Sequence, residues 1–346
     1  AFFTYGVVLG SGYSWQTALG AVFVSGILFV VLSVLPVREW LINAIPRNLK
    51  LGIAAGIGLF LGFIALQNGG VVIDNPATLV GLANLTTFAP AACLVGFAII
   101  VALSALRVTG AVIIGVLAMS ALGWMTGQVA FAGVFAPPPS LAPVALQLDL
   151  SGTLLGMATV VISFLIVDVF DTAGTLLGVA QRANLADAEG RLPRLRPALL
   201  ADSGATAVGA LLGTSSTTSF IESGAGVEAG GRTGLTAVFA GLLFLACLVL
   251  APLAQSVPAY ATASALLFVA CLMARSLADL DWSDYTESAP AVVAALAMPL
   301  TYSIAEGIGL GFICYAAIKI LTGKALSCSP VVYVVAAVFI AKYIFL

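Results

Sequence analysis

Long apolar runs recur along this chain, and they decide what it can fold in. They are Thr17–Leu35, Leu51–Leu66, Ala89–Leu106, Val108–Val134, Leu150–Val167, Ala198–Leu212, Thr233–Ala274, Ser288–Ala305, Gly307–Ile318 and Pro330–Ala341. None contains Asp, Glu, Lys or Arg, apart from Asp202 within Ala198–Leu212. A helix that spans a bilayer needs about 20 residues. Thr233–Ala274 is long enough for two spans, with a break expected near Pro252 and Pro258 because proline cannot continue a helix. The expected total is about eleven or twelve spans. Hydrophobic types make up 61% of the residues and charged types 8%, whereas a soluble domain is roughly 25% charged. That much apolar surface needs lipid as its solvent, so the fold class is an all-α polytopic membrane protein of the cytoplasmic (inner) membrane.

The same composition narrows the chemistry. A net charge of −2 without basic stripes argues against a nucleic-acid partner. Five cysteines, Cys93, Cys247, Cys271, Cys314 and Cys328, have no metal-binding spacing, and they read as small packing residues. Histidine is absent, which removes the commonest metal ligand and neutral-pH proton carrier. No metal or organic cofactor is expected, and any proton coupling must use Asp or Glu.

The loops suggest an orientation. Arg38, Arg47 and Lys50 flank one connection, and Arg182, Arg191, Arg194 and Arg196 fill another. The loops at Asp74–Asn75 and Pro137–Pro139 carry no Lys or Arg. By the positive-inside rule the first two face the cytoplasm and the others face out. The chain reads as two repeats, residues 1–150 and 151–346, the second containing the polar cytoplasmic linker at residues 181–197. These parts share sequence: Gly20–Val31 parallels Thr236–Ala246, and Ala89–Phe97 parallels Ala289–Ala297. Two apolar runs follow each member of the second pair and end at Thr126–Gly127 and Thr322–Gly323. The order suggests an internal duplication, a common plan in secondary transporters that bind substrate between repeats. The chain opens at Ala1 within an apolar stretch, as if cut inside a helix.

A few carboxylates interrupt the apolar background. Asp168 and Asp171 follow a long uncharged run, and their i, i+3 spacing puts them on one helical face that Thr172 and Thr175 extend. Gly174 and Gly178 allow close approach of a neighbour. Ionisable residues within a membrane helix are costly and mark function by default. Next, Thr214–Ser219 is a run of hydroxyl residues with poor helix preference and reads as a short extended piece. The glycine-rich helix after it completes a discontinuous span, with Glu222 at the junction near free amides. Asp202 is expected to orient that segment. Glu228 and Arg232 read as a structural pair, Glu306 as an outer helix end, and Asp279, Asp281, Asp284 and Glu287 as a solvated acidic loop beside Trp282 and Tyr285.

On these residues the chain resembles the AzgA-like purine permeases, the guanine/hypoxanthine branch of the nucleobase–cation symporters. The matching pieces are FFTYGVVLGSGYSWQTALGAVF, REWLINAIP, LKLGIAAGIGLFLGFIALQN, DVFDTAGTLLGVA, ADSGATAVGALLGTSSTTSFIESGAGVEAGGRTGLTAV and MPLTYSIAEGIGLGFICY. The resemblance implies two inverted repeats of seven spans, forming core and gate domains, and proton-driven uptake of purine bases. It implies that Asp168 and Glu222 hydrogen-bond the base, with Thr218, Phe220 and Ile221 beside the break of the tenth span. Asp168, Asp171, Glu222 and Asp202 are then the proton-coupling set. It also implies two further spans and a Gly/Asn motif before Ala1, of whose site wall Phe2 and Phe3 remain. A homodimer is the expected assembly.

The chemistry of a purine suits this set. Carboxylates accept from ring N–H groups in charge-assisted bonds, roughly twice as strong as neutral ones. Phe2, Phe3 or Phe220 would stack on the ring, with aromatic core packing as the plainer alternative. Burial favours the uncharged carboxyl, so one of Asp168, Asp171 and Glu222 is expected to hold the coupling proton. Other readings are a same-fold carrier of xanthine, uracil or an anion, a channel, and an intramembrane aspartyl protease. The last lacks the Gly-x-Gly-Asp context.

Overall fold

Several helix ends in this chain are set by proline, glycine and serine. The computed structural model describes residues 2–34, 45–152, 157–182, 194–220, 223–228, 230–231 and 233–345. A wide π-helical segment, Phe2–Gly10, leads into α1 (Trp15–Val34). There follow α2 (Arg47–Asn68), a hairpin of β1 (Val72–Asn75) and β2 (Leu79–Leu82), α3 (Phe88–Ala105) and α4 (Ala111–Met125). The second part holds α5 (Ala158–Arg182), α6 (Leu195–Leu212), the short α7 (Ser223–Glu228) and α8 (Gly234–Gln255). It ends with α9 (Ala259–Ala274), α10 (Tyr285–Thr301), α11 (Ile304–Leu321) and α12 (Pro330–Phe345). Among the described residues, five helical stretches have the length and apolarity to cross a membrane: α1, α2, α3, α8 and Ala259–Asp279.

Several boundaries follow from local chemistry. The long run Thr233–Ala274 does break between α8 and α9, where Pro258 in extended geometry caps α9. Pro252 sits in the first turn of the last helical piece of α8, after a tight turn at Leu248–Leu250. The run Val108–Val134 is helical only to Met125, because Gly127 takes φ +69° and closes the helix. Helix α11 closes the same way. Thr126 and Thr322 each donate a hydroxyl hydrogen four residues back, to Leu122 and Ile318, at 2.8 Å. Gly127 and Gly323 adopt φ +69° and +70°. The left-handed glycine supplies the amides that satisfy the last carbonyls.

The chain forms two compact units. The first comprises residues 1–56, 140–232 and 276–346, and the second comprises residues 57–139 and 233–275. Within the first, α1 packs on α5 and α6, α10 on α11, and α11 on α12. Gly26 permits the α1–α6 approach: a Cβ there would lie 3.0 Å from the Ala207 amide nitrogen. The core at this point is Val7, Val22, Met157, Phe164 and Ala210, drawn from the π-helical segment, α1, the start of α5 and α6. In the second unit α3, α4 and α9 pack together around Cys93, Met119 and Tyr260. Trp124 donates its ring N–H to the Ser256 carbonyl at 2.9 Å, and the Ala132 amide donates to the Ser256 hydroxyl at 2.8 Å.

Two expectations change here, and a third holds. Glu287 is not part of a solvated loop. It lies in the first turn of α10 and pairs at 2.7 Å with Lys319 of α11, a lysine only 4% exposed, while Tyr315 donates to the same carboxylate oxygen at 2.7 Å. An acid at a helix start suits the dipole, and a buried ammonium needs a partner. Glu306 is indeed at a helix start, where its amide bonds the Ser303 cap, and its carboxylate pairs with Lys342. Of the cysteines only Cys93 and Cys328 are buried, whereas Cys247 and Cys271 are exposed on helices that present apolar side chains outward. Arg38, Arg191 and Arg232 lie outside the described residues, as do the side chains of Arg182 and Glu228.

Candidate functional site

Helix α5 carries its acidic residues in mid-helix, since it begins at Ala158 and runs unbroken to Arg182. Asp168, Thr172 and Thr175 occupy one stripe and are buried, at 3%, 0% and 7% exposure. Helix α6 repeats the pattern: Asp202 and Thr206, four residues apart, are both buried. The two helices pair these residues crosswise. Thr172 donates its hydroxyl hydrogen to Asp202 Oδ2 at 2.6 Å, and the Thr206 hydroxyl lies 3.2 Å from Asp168 Oδ2. The pairing order is antiparallel, 168 with 206 and 172 with 202. Each helix thus offers one carboxylate and, one turn on, one hydroxyl.

The chain then returns across this latch. Helix α6 ends at Gly213, whose φ of +93° only glycine adopts cheaply. Residues 214–220 are non-helical, and they lie against α5 and α6. The Thr217 carbonyl accepts from Thr206 at 2.7 Å, and Ser219 donates to Asp202 Oδ1 at 2.9 Å. The Thr218 and Thr172 hydroxyls are 3.4 Å apart. Gly209 makes room, since a Cβ there would come within 2.6 Å of the Thr217 hydroxyl oxygen. The hydroxyl run suits this role: its residues resist helix and supply donors to carboxylates. Non-helical backbone at membrane depth is tolerated only where protein or a cavity surrounds it. Here the Thr206 hydroxyl of α6 satisfies the Thr217 carbonyl.

The site residues read from the sequence fall into three groups. Asp168, Asp202 and Thr218 meet in the network just described. Phe3 is partly buried and packs against the first unit's core, its ring 6.4 Å from that of Phe164, while Phe220 ends the non-helical segment 63% exposed. Ile221, Glu222 and the side chains of Phe2 and Asp171 lie outside the described residues. Two residues were not singled out from the sequence, one in this network and one outside it. Thr206 stands at i+4 from Asp202 as Thr172 stands from Asp168, a signal that repeated Asp-x-x-x-Thr spacing carries. The other is Asp149, which ties the loop before α5 to the start of α1 by accepting from Thr17 at 3.3 Å, while its own amide donates to the Gln16 carbonyl. The Ser151 hydroxyl and Gly152 amide hold the Asp149 carboxyl below its ordinary value.

The chemical character of the site is that of hydrogen-bonding recognition. Asp202 accepts on both oxygens, and Asp168 is buried among threonines. Carboxylates held so, inside otherwise apolar helices, can bind donors or protons.

Comparison with known proteins finds permeases. Residues 1–310 match the Xan_ur_permease family, described as a permease family. The adenine permease AdeP of Escherichia coli (strain K12) is 46% identical over 347 residues, covering 100% of this chain and 78% of that one. The guanine/hypoxanthine permease PbuO of Bacillus subtilis (strain 168) is 44% identical over 349 residues, covering 98% of this chain and 80% of that one. Among solved structures, the transmembrane domain of the cyanobacterial bicarbonate transporter BicA aligns over 88% of this chain and 79% of its own, with a TM-score of 0.65. At 15% identity that likeness speaks for the fold alone.

Proposed function

We propose, from the premise that this chain belongs to the Xan_ur_permease family of multi-pass membrane permeases, that it is a proton-coupled symporter of purine nucleobases in the cell membrane. The observation that carries this reading is the buried crosswise pairing of Asp168 with Thr206 and Asp202 with Thr172 around a non-helical segment. The names of AdeP and PbuO support a purine, adenine or guanine/hypoxanthine, as the substrate class. In this proposal Asp168 and Glu222 accept from ring N–H groups of the base. Thr218, Phe220 and Ile221 border it, and Phe2 or Phe3 closes the far side. Asp168, Asp171 and Glu222 share the coupling proton, with Asp202 holding the 214–220 segment in place. The two sequence-related parts, residues 1–150 and 151–346, act as repeats, and two copies form a homodimer.

Coupling requires that proton and base together favour one orientation of the site over the other, since a ligand shifts an equilibrium only by its differential affinity. A protonated carboxyl offers both a donor and an acceptor to a purine edge, whereas the ionised group only accepts. Binding the base and binding the proton then reinforce each other.

The test is uptake of labelled hypoxanthine into proteoliposomes, with and without an inward proton gradient, in competition with adenine, guanine, xanthine, uracil and bicarbonate. Saturable uptake that falls when an ionophore collapses the gradient, and that purines alone compete, is the expected result. Gradient-independent uptake sinks the symporter. Competition by uracil or bicarbonate alone sinks the purine assignment. Glu222→Gln is expected to lose purine uptake, and wild-type uptake in that variant removes Glu222 from the site.

A further inference from the structure

Thr206 sits where a carboxylate and a main-chain carbonyl compete for one hydrogen. Its buried hydroxyl lies 2.7 Å from the Thr217 carbonyl oxygen and 3.2 Å from Asp168 Oδ2. A hydroxyl has one hydrogen to donate and two lone pairs to accept with, so it cannot serve both oxygens fully as a donor. The distances rank the two contacts. The usual O–H···O length is about 2.7–2.8 Å, and bonds beyond about 3.0 Å are weak. With Asp168 protonated, the Thr206 hydrogen goes to the nearer Thr217 carbonyl and a lone pair of Thr206 faces Asp168. The Asp168 O–H then donates to the Thr206 oxygen.

Loss of that proton reverses the preference. An ionised carboxylate is a stronger acceptor than an amide carbonyl. The Thr206 hydroxyl then turns to Asp168, and the Thr217 carbonyl loses its donor. Asp202 lacks this freedom, because its two oxygens already accept from Thr172 at 2.6 Å and Ser219 at 2.9 Å. It anchors one end of the 214–220 segment whatever Asp168 does. We infer that Thr206 is a positioning residue, which converts the protonation state of Asp168 into the placement of the 214–220 segment at Thr217. The inference rests on the proton-coupled reading above.

Other charged groups stand on the elements around Asp168, and Glu222, which follows the segment, lies outside the described residues. Asp171 shares α5, and α1 carries no charged residue. On α6, Arg196 is exposed and Asp202 is engaged as described. Glu228 stands on α7, which packs against α5. On α11, Tyr315 and Lys319 bond Glu287, and Glu306 pairs with Lys342. The Thr206 hydroxyl joins the Asp168 carboxyl to the main chain of the segment at Thr217.

The experiment compares the wild-type chain with Thr206→Val and Thr206→Ser in proteoliposomes, reading KM and kcat for labelled hypoxanthine from acidic to neutral pH. The wild-type KM is expected to rise toward neutral pH. Thr206→Val keeps the shape but not the hydroxyl, and it is expected to flatten that rise by about tenfold, the scale of one hydrogen bond to a charged group. Thr206→Ser is expected to restore it. A Val variant with the wild-type pH slope overturns the inference, as does a Ser variant that stays flat. A flat wild-type profile overturns the symporter reading itself, so the two failures are told apart by the wild-type arm. Should Thr206→Val not reach the membrane, Thr206→Cys replaces it: a thiol is a weak donor, and a wild-type slope in that variant equally overturns the inference.

Discussion

Replacing Thr172 by valine removes one donor from the latch while leaving its shape. Thr172 is fully buried, and its 2.6 Å bond to Asp202 is short, in the range for a hydroxyl donating to a carboxylate. A hydrogen bond to a charged group contributes about 1.5–3 kcal/mol. Valine fills nearly the same volume, so no cavity adds to the loss. Asp202 retains Ser219 at 2.9 Å, which keeps the cost near the middle of that range, about 2 kcal/mol. At 1.4 kcal/mol per factor of ten, this is roughly thirtyfold in an equilibrium constant. The account predicts a lower unfolding midpoint and a KM for purine uptake raised by up to that factor. Ser203→Ala is the control, because Ser203 is buried beside Asp202 yet donates to the Leu199 carbonyl of its own helix at 2.7 Å. Its loss is expected to be about 1 kcal/mol, with uptake unchanged. Equal effects of the two variants on KM refute the reasoning, because they assign the Asp202 bond no role beyond generic packing.

Other predictions probe the scaffold. Lys319→Met leaves Glu287 partly buried without its ion partner and is expected to cost about 3 kcal/mol or more, while the double variant Lys319→Met/Glu287→Gln recovers part of it; a double-mutant cycle on unfolding midpoints checks the coupling. Gly26→Val is expected to destabilise by about 1–3 kcal/mol, since its side chain meets the Ala207 backbone, whereas Gly241→Ala on α8 meets nothing within 4 Å and is expected to be neutral or stabilising. Asp284 and Asp281 lie outside the spans, and bonds from Thr286 and from Ser283 hold their carboxyls below the ordinary 3.8. A depressed folded-state value means that their contribution is present above the unfolded value and fades as pH falls through the folded one. Asp284→Ala therefore lowers the unfolding midpoint at neutral pH, and the difference from wild type shrinks in strong acid.

Much of the architecture was legible because apolar length and proline placement act locally. The break between α8 and α9 at Pro258 and the helix stops at Thr-Gly needed only neighbouring residues. The non-helical character of residues 214–220 likewise follows from hydroxyl side chains that compete for backbone groups. What the sequence withheld are pairings over distance. Nothing local places Thr172 on Asp202, thirty residues on, or Glu287 beside Lys319. Glu287 looked solvated because its neighbours Asp281 and Asp284 are acidic and polar, and its burial comes from α11. Thr206 was overlooked because threonine is common in apolar helices, and only its spacing from Asp202, repeated on α5, sets it apart.

The most direct test of the account is gradient-driven accumulation by Asp168→Asn beside wild type in proteoliposomes. Asparagine keeps the size and an acceptor for Thr206 but binds no proton in the physiological range. The account predicts that the variant exchanges labelled hypoxanthine across the membrane yet no longer concentrates it in response to a proton gradient. Wild-type, pH-dependent accumulation by Asp168→Asn contradicts it.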